Sequence, residues 1–288
     1  PTLDTDTLGD MAKALKVQGI SGVSGRFLVD ASALPAIWSI DPGQPDHVGY
    51  NPAISALNLN YNRVHFQWER GADGYSVSLD ARAERFSPQV DIARMTVVDR
   101  EMPVYTYSDA GSSDEWTVAR PALGNAGSRW LPVRKPHLYA GEVFQTLARA
   151  EGLTLPAAEA VEDPVAGEVL VERVSDELRD ILEGMLRWST NLTAEVVGLT
   201  ATVARGGRAD SLGASAAAMS EWMAETLGAR KTRFVDHSGL GDRSESAATD
   251  LVRALVQVGP EGPLRGILKD IEMREREGNP IPDSLIKV

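Results

Sequence analysis

The stretch that decides the fold lies between two apolar helical patterns and reads Arg187-Trp188-Ser189-Thr190-Asn191-Leu192-Thr193-Ala194-Glu195-Val196-Val197-Gly198. The helix predicted before it has apolar residues at helical spacing, namely Leu178, Ile181, Leu182, Met185 and Leu186. Leu192 begins a second apolar stripe, with Glu195 on another face. The polar triplet therefore sets a serine hydroxyl and an asparagine amide, both able to donate and accept, in a rigid frame. The alternative is that Ser189 or Asn191 simply caps the second helix.

Composition limits the classes of function. The 288 residues are 43% hydrophobic and 24% charged, which is enough for one large or two modest domains with real cores. A net charge of -12 argues against nucleic acid as a partner and against an electrostatic membrane anchor. Cysteine is absent, which removes thiol catalysis, disulfides and thiolate metal sites. The histidines lack metal-ligand spacing, so we expect no metal and no cofactor.

Hydrophobic periodicity divides the first half of the chain. A helix is predicted over 4–18, a strand over 26–30 and a Pro- and Gly-rich loop over 35–52. Period-two alternation from 56 to 135 then predicts a mostly antiparallel β region. Its predicted strands lie at 57–61, 64–68, 75–79, 90–98, 103–107, 115–120 and 128–133. Pro136 opens a helix that runs to about Ala150.

The second half is predicted to be mainly helical. Residues 154–167 contain two prolines and several acidic residues and are predicted to be a linker. A strand is predicted over 168–174. Helices are then expected near 176–187, 192–205, 211–227 and 247–257, with a short one near 264–269 and an extended tail to Val288.

The motifs around the triplet resemble a known family. After Trp-Ser-Thr-Asn-Leu-Thr-Ala-Glu the chain continues with Val235-Asp236-His237-Ser238-Gly239-Leu240 and Ser246-Ala247-Ala248-Thr249-Asp250-Leu251-Val252. Together these resemble the D-alanyl-D-alanine carboxypeptidase/endopeptidase family, the low-molecular-mass class C penicillin-binding proteins, which are serine peptidases of peptidoglycan. That family's second motif reads Ser-Asp-Asn or Ser-Asn-Asn followed by Leu-x-Ala-Glu, and its later landmark reads Asp-Gly-Ser-Gly-Leu-Ser. Here Thr190 and His237 depart from the pattern, and His237 replaces a glycine.

The resemblance implies an α/β multi-domain fold. A catalytic domain like those of penicillin-binding proteins and β-lactamases would be interrupted by large inserted β-rich domains. On that basis 1–153 is inserted α/β and β-rich material and 154–167 is a linker. Residues 168–288 would be the returning, helical part of the catalytic domain.

The resemblance also implies acyl transfer. A serine in Ser-x-x-Lys would attack the substrate carbonyl, and a Lys-Thr-Gly strand would bind the substrate carboxylate. Ser189 would relay a proton to the leaving amine, and Asn191 would orient the lysine and the substrate amide. Peptidoglycan stem peptides and β-lactams are the implied ligands, in the periplasm or another extracytoplasmic space of a bacterium.

Neither outer motif is found in a suitable place. Ser284-Leu285-Ile286-Lys287 is a Ser-x-x-Lys, but it follows Pro280 and Pro282, where no helix can be sustained to align the two groups. Lys231-Thr232 is followed by Arg233. We therefore expect the chain to be an internal portion of the enzyme that needs N- and C-terminal segments of the same protein. The alternative is a non-catalytic relative that binds or scaffolds peptidoglycan.

Overall fold

The computed structural model describes residues 2–287, with side chains up to residue 281. It divides into two compact units, Pro1–Ser175 and Asp176–Val288, here called unit 1 and unit 2. The described part is a mixed α/β structure. Its helices are α1 Thr5–Val17, α2 Pro136–Ala150, α3 Leu178–Trp188, α4 Asn191–Ala204, α5 Leu212–Thr226 and α6 Ala248–Val258.

The strands form several small sheets. They are β1 Phe27–Asp30, β2 Arg63–Gly71, β3 Gly74–Asp80, β4 Ala93–Val98, β5 Tyr105–Asp109, β6 Asp114–Ala119, β7 Ala126–Pro132, β8 Ala158–Val161, β9 Asp270–Arg274 and β10 Pro280–Lys287. In unit 1, β2 pairs antiparallel with both β3 and β7. In the second sheet β6 is antiparallel to β5 but parallel to β4. The predicted antiparallel region is thus confirmed except at the β4–β6 pair.

Alternating apolar residues build the core of unit 1. On β2, Val64 and Phe66 are fully buried, and Trp116 of β6 and Leu131 of β7 lie in the same cluster. Helix α2 closes it with Tyr139, whose hydroxyl donates to the Arg63 carbonyl at 3.0 Å. Burying each of these side chains stabilises the fold by about 1.5–3 kcal/mol.

The strand predicted at 57–61 is wrong. Asn60, Tyr61 and Asn62 have positive φ angles of 50°, 58° and 53° and form a 3-10 turn instead. The asparagines explain it, because they tolerate the left-handed region and bond to nearby backbone. Asn62 Oδ1 accepts the Leu59 N–H at 3.1 Å, and its Nδ2 donates to the Ala53 carbonyl at 2.8 Å.

Three further predictions of local structure are wrong. Residues 168–174 form no strand. Two of their valines, Val169 and Val174, are exposed, because this segment does not pair with any strand that the structure describes. Residues 158–161, predicted as linker, instead form β8, which pairs in parallel with β1. The short helix expected at 264–269 is a series of turns, since a single helical turn is costly to nucleate. The predicted division into inserted and returning parts stays a prediction.

One arginine binds three backbone carbonyls of the Pro-rich loop over 35–52. Arg134 donates from Nη1 to the carbonyls of Trp38 and Asn51, each at 2.9 Å, and from Nη2 to that of Asp46 at 2.8 Å. Burial lowers the pKa of its guanidinium, which nevertheless stays charged at neutral pH. A loop without regular structure thereby obtains partners for its backbone carbonyls.

A buried carboxylate fixes the backbone next to that arginine. Asp114 is fully buried, and its Oδ2 accepts the Arg134 backbone N–H at 2.7 Å. Its Oδ1 accepts the Tyr107 hydroxyl at 2.9 Å and the Lys135 ammonium at 3.2 Å. Desolvation and the Asp114 charge raise the pKa of Tyr107, which keeps the phenol protonated as a donor.

Asp114→Asn should destabilise unit 1 by about 3 kcal/mol, because Lys135 keeps only the half-exposed Asp109 as a counter-charge and the new amide NH₂ group faces either the Arg134 N–H or the Lys135 ammonium. Urea denaturation followed by tryptophan fluorescence measures the change. The matched control is Asp99→Asn, whose side chain is 80% exposed in its pair with Arg120 and should leave stability nearly unchanged. Equal midpoints for the two variants would contradict the role given to Asp114.

Unit 2 contains α3 to α6 and the antiparallel β9–β10 hairpin. Ser284 lies on β10, as the extended tail predicted, but its side chain and that of Lys287 are outside the described residues. Helix α3 exposes an apolar side chain at each end, Leu178 and Trp188, and α6 exposes four: Leu251, Val252, Leu255 and Val256. Among the residues described, no helix has the length and apolar character needed to cross a bilayer.

Candidate functional site

The predicted polar triplet lies at a junction of two helices. Helix α3 ends at Trp188, and Ser189 follows as its C-cap in the left-handed region, with φ 51° and ψ 53°. Thr190 is extended and is the N-cap of α4, which begins at Asn191. Neither Ser189 nor Asn191 is therefore the N-cap of α4, which was the alternative interpretation. Ser189 is exposed and Asn191 is half-buried.

The backbone of Ser189 is strained. A left-handed conformation costs a residue with a side chain about 1–2 kcal/mol, and glycine is the usual occupant of this C-cap position. Such strained residues cluster at sites of function, where the surrounding structure holds them. Ser189 thus ends α3 in the left-handed conformation that commonly closes a helix, and its exposed hydroxyl is open to solvent.

One helical turn after Asn191, a buried carboxylate joins α4 to the later landmark. Glu195 is fully buried. Its Oε1 accepts the Ser238 N–H at 2.9 Å, and its Oε2 accepts the His237 N–H at 3.1 Å. Burial raises the pKa of Glu195, whereas the bonds from Ser238 and His237 act in the opposite direction. Because residues four apart share a helix face, Asn191 and Glu195 lie along the same side of α4.

The landmark Asp236–Gly241 is a tight turn built on Asp236. The buried carboxylate of Asp236 accepts the Gly239 N–H and the Gly241 N–H, both at 2.7 Å. The left-handed residue of this turn is Gly239, with φ 72°. His237 has no positive φ, so histidine in place of the family's glycine does not strain the backbone.

The His237 side chain packs between α4 and α5. Its Nε2 lies 2.8 Å from the buried Ser215 hydroxyl, which is 2.6 Å from the Thr202 hydroxyl. The ring lies so close to Gly198 that a Cβ there would collide with it. Burial lowers the pKa of His237 below its ordinary value of 6.5, so the ring is neutral at neutral pH.

The sequence predicted Ser189 and Asn191 as site residues, but it did not predict the hydrogen bonds through which Glu195 holds the turn at His237 and Ser238 to α4. The signal available was an acidic residue inside an otherwise apolar helix, one turn beyond the triplet. Its partners are 42 and 43 positions away, and no local pattern identifies them. In the part of the chain that the structure describes, no group of three or more histidine, cysteine or acidic side chains is arranged to hold a metal ion.

Comparison with known sequences specifies the family to which this fold and its helix junction belong. The chain belongs to the D-Ala-D-Ala carboxypeptidase 3 (S13) family, which it matches over residues 1–270. The resemblance expected from the Ser-x-Asn and Asp-x-Ser-Gly-Leu motifs is thereby confirmed. Comparison with curated protein sequences finds no significant match.

Two solved structures share the fold. One is penicillin binding protein 4 from Haemophilus influenzae, with 17% identity and a TM-score of 0.74 over 94% of this chain. The other is the same protein complexed with a novel β-lactam, with 16% identity, a TM-score of 0.70 and 94% of this chain covered. This chain spans 62% and 60% of those two chains. At this identity the likeness shows the fold alone.

Glu195→Ala should release the turn from α4, because two backbone N–H groups lose their acceptor. Hydrogen exchange of the His237 and Ser238 amides should accelerate by about 10-fold or more, which corresponds to about 1.4 kcal/mol. The Gly241 amide, bonded to Asp236, is the internal reference and should change less. Glu225→Ala, at an exposed position of α5, is the matched control. An unchanged exchange rate of the Ser238 amide would show that Glu195 does not hold the turn to α4.

His237 should make unit 2 sensitive to acid. The unfolded chain takes up a proton on this histidine below about pH 6.5, whereas the folded chain resists it to lower pH. The contribution of His237 is therefore present above pH 6.5 and is lost as pH falls through the lowered pKa. Wild type should lose more stability than His237→Gln between pH 7 and 5 in urea denaturation. Glu195 is present in both proteins, so its titration cancels in the comparison. Parallel pH profiles would contradict the assignment.

Proposed function

We propose that this chain is part of a serine D-Ala-D-Ala carboxypeptidase or endopeptidase that trims peptidoglycan peptides through an acyl-enzyme. The observation that carries the proposal is the exposed Ser189 next to Asn191 at the α3–α4 junction, in a chain that belongs to the S13 family. Peptidoglycan stem peptides are the proposed substrates. The proposed location is the periplasm or another extracytoplasmic space.

In the proposed reaction, a serine attacks the carbonyl of the penultimate D-alanine and the terminal D-alanine leaves. Ser189 passes a proton to the leaving amine, a role that suits a hydroxyl because it donates and accepts at one atom. Asn191 orients the partner lysine with its carbonyl and the substrate amide with its NH₂ group. Water then hydrolyses the acyl-enzyme.

We further propose that the nucleophile and the Lys-Thr-Gly strand lie in segments outside this chain. Two observations support this. The chain spans about three fifths of the solved structures it resembles. In unit 2, α6 exposes a stripe that includes Leu251 and Leu255, and Trp188 next to Ser189 is 74% exposed. An apolar helix face of this kind is normally packed against another element, and we assign the missing segments of the same polypeptide as that element.

β-Lactams are the proposed inhibitors. Their ring carbonyl would acylate the same serine as the substrate carbonyl does. A solved structure that this chain resembles, penicillin binding protein 4 from Haemophilus influenzae, is complexed with a novel β-lactam. A penicillin with a fluorescent side chain therefore reports on the assembled site.

Labelling by fluorescent penicillin tests the proposal on the full natural polypeptide. The full polypeptide should be labelled. Ser189→Ala and Asn191→Ala should each slow acylation by about 10²–10⁴-fold, the usual contribution of a positioned proton-transfer group. Ser284→Ala is the matched control and should be labelled at the wild-type rate. The 288-residue chain alone should not be labelled.

Each other outcome is decisive. Failure to label the intact full polypeptide would defeat the enzyme proposal and favour the non-catalytic relative that binds peptidoglycan. Wild-type labelling rates in the Ser189 and Asn191 variants would remove these residues from the site. Labelling of the 288-residue chain that Ser284→Ala abolishes would show that the rejected Ser-x-x-Lys is the nucleophile.

A further inference from the structure

A cavity separate from the proposed acyl-transfer chemistry lies wholly within unit 1. Its volume is about 490 Å³, a size suited to a small molecule. It lies between the Pro-rich loop, the segment before β5, and strands β5 to β7. The lining residues are Pro45, Asp46, His47, Met102, Pro103, Val104, Tyr105, Trp116 and Arg129.

Arg129 supplies an uncommitted positive charge to this cavity. Its guanidinium carbon lies 4.5 Å from the centroid of the Tyr105 ring. Its Nε is buried without a hydrogen-bond partner, and no carboxylate lies within ion-pair distance among the residues described. A guanidinium stacked on a ring keeps its N–H groups at its edge, where they match the two oxygens of a carboxylate.

The aromatic wall beside Arg129 is rigid and uncharged. The His47 ring stacks on Tyr105 with centroids 4.9 Å apart and 23° between the planes. Burial and the Arg129 charge lower the pKa of His47, so at neutral pH the positive charge of the cavity is that of Arg129. Buried Trp116 forms part of the same wall.

Asp46 supplies the opposite charge. Its side chain is exposed, and its carboxylate makes no ion pair within 4 Å in the part of the chain described. Its backbone is fixed because its carbonyl accepts Arg134 Nη2 at 2.8 Å. A doubly charged phosphate would be attracted by Arg129 but repelled by Asp46. A molecule with one carboxylate and one ammonium satisfies both.

We propose that this cavity binds a zwitterionic amino acid or short peptide. The carboxylate pairs with Arg129, the ammonium pairs with Asp46, and the chain between them crosses the cavity past the Tyr105 ring, which Arg129 and His47 already cover. Met102 and Pro103 form the apolar edge. This site does not depend on the proposed enzyme activity, since every residue in it lies in unit 1.

Isothermal titration of the 288-residue chain with alanyl-alanine, in its D,D and L,L forms, tests the proposal. At about 0.3 kcal/mol per heavy atom, a dipeptide should bind with a Kd in the millimolar range. At least one form should bind saturably. Its C-terminal amide and its N-acetyl derivative should each bind at least 10-fold more weakly, and inorganic phosphate should not bind.

Arg129→Gln should lower the affinity for the dipeptide at least 10-fold. The matched control is Arg120→Gln, since Arg120 also lies over a tyrosine, with its guanidinium carbon 6.0 Å from the Tyr75 ring, but already pairs with Asp99. Its affinity should stay within twofold of wild type. If Arg129→Gln unfolds, Asp46→Asn at the exposed carboxylate provides the test. It should weaken the free dipeptide at least fivefold and leave the N-acetyl derivative unchanged.

Several outcomes would overturn the proposal. They are no saturable binding of either dipeptide, equal binding of the acid and its amide, and wild-type affinity in a folded Arg129→Gln variant. Saturable phosphate binding that Arg129→Gln abolishes would also overturn it, because it would identify the cavity as a simple anion site. Failure here leaves the penicillin-labelling experiment unaffected, since that experiment reports on the assembled site around Ser189 and Asn191 and not on this cavity.

Discussion

The candidate site depends on a buried carboxylate, that of Glu195, which makes no ion pair with any side chain that the structure describes. Glu195 accepts two backbone N–H groups from the turn at His237 and Ser238, and these bonds offset part of the cost of removing its charge from water. Removing the carboxylate would leave both donors unpaired inside the protein. This interaction fixes the start of α4, where Asn191 lies, to a turn that follows more than forty residues later in the chain.

Hydrogen bonds between buried polar side chains and the backbone also organise unit 1. Its long irregular segments are held by side chains that bind backbone groups, as Arg134 does for the Pro-rich loop and Asn62 for the turn before β2. Asp114 then fixes the backbone of Arg134. A network of this kind stabilises the fold only while every member has its partner. Buried polar contacts, as much as apolar packing, therefore determine where the loops of this protein lie.

The sequence predicted those features that arise from local patterns. Helical periodicity, Pro136 and the glycines located α1 to α6 to within a few residues, and the Ser189-x-Asn191 motif identified the junction. The predicted strand at 57–61 is wrong, because hydrogen bonds from asparagine side chains favour a turn there over the strand that the apolar alternation indicates. Strand β8 was not predicted within the linker at 154–167, because β8 pairs with β1, more than a hundred residues earlier in the chain. The packing of His237 was missed for the same reason, because its partner Ser215 is 22 positions away.

The contact between Gly198 and His237 makes the residues allowed at the two positions depend on each other. An imidazole fills the space between α4 and α5 only where the facing helix residue lacks a Cβ. With glycine at the position of His237, the position of Gly198 on α4 has room for alanine or serine. With histidine in the turn, only glycine fits at that position of α4. The two positions should therefore vary together across the family. Each pairing keeps the space filled, and neither substitution is neutral without the other.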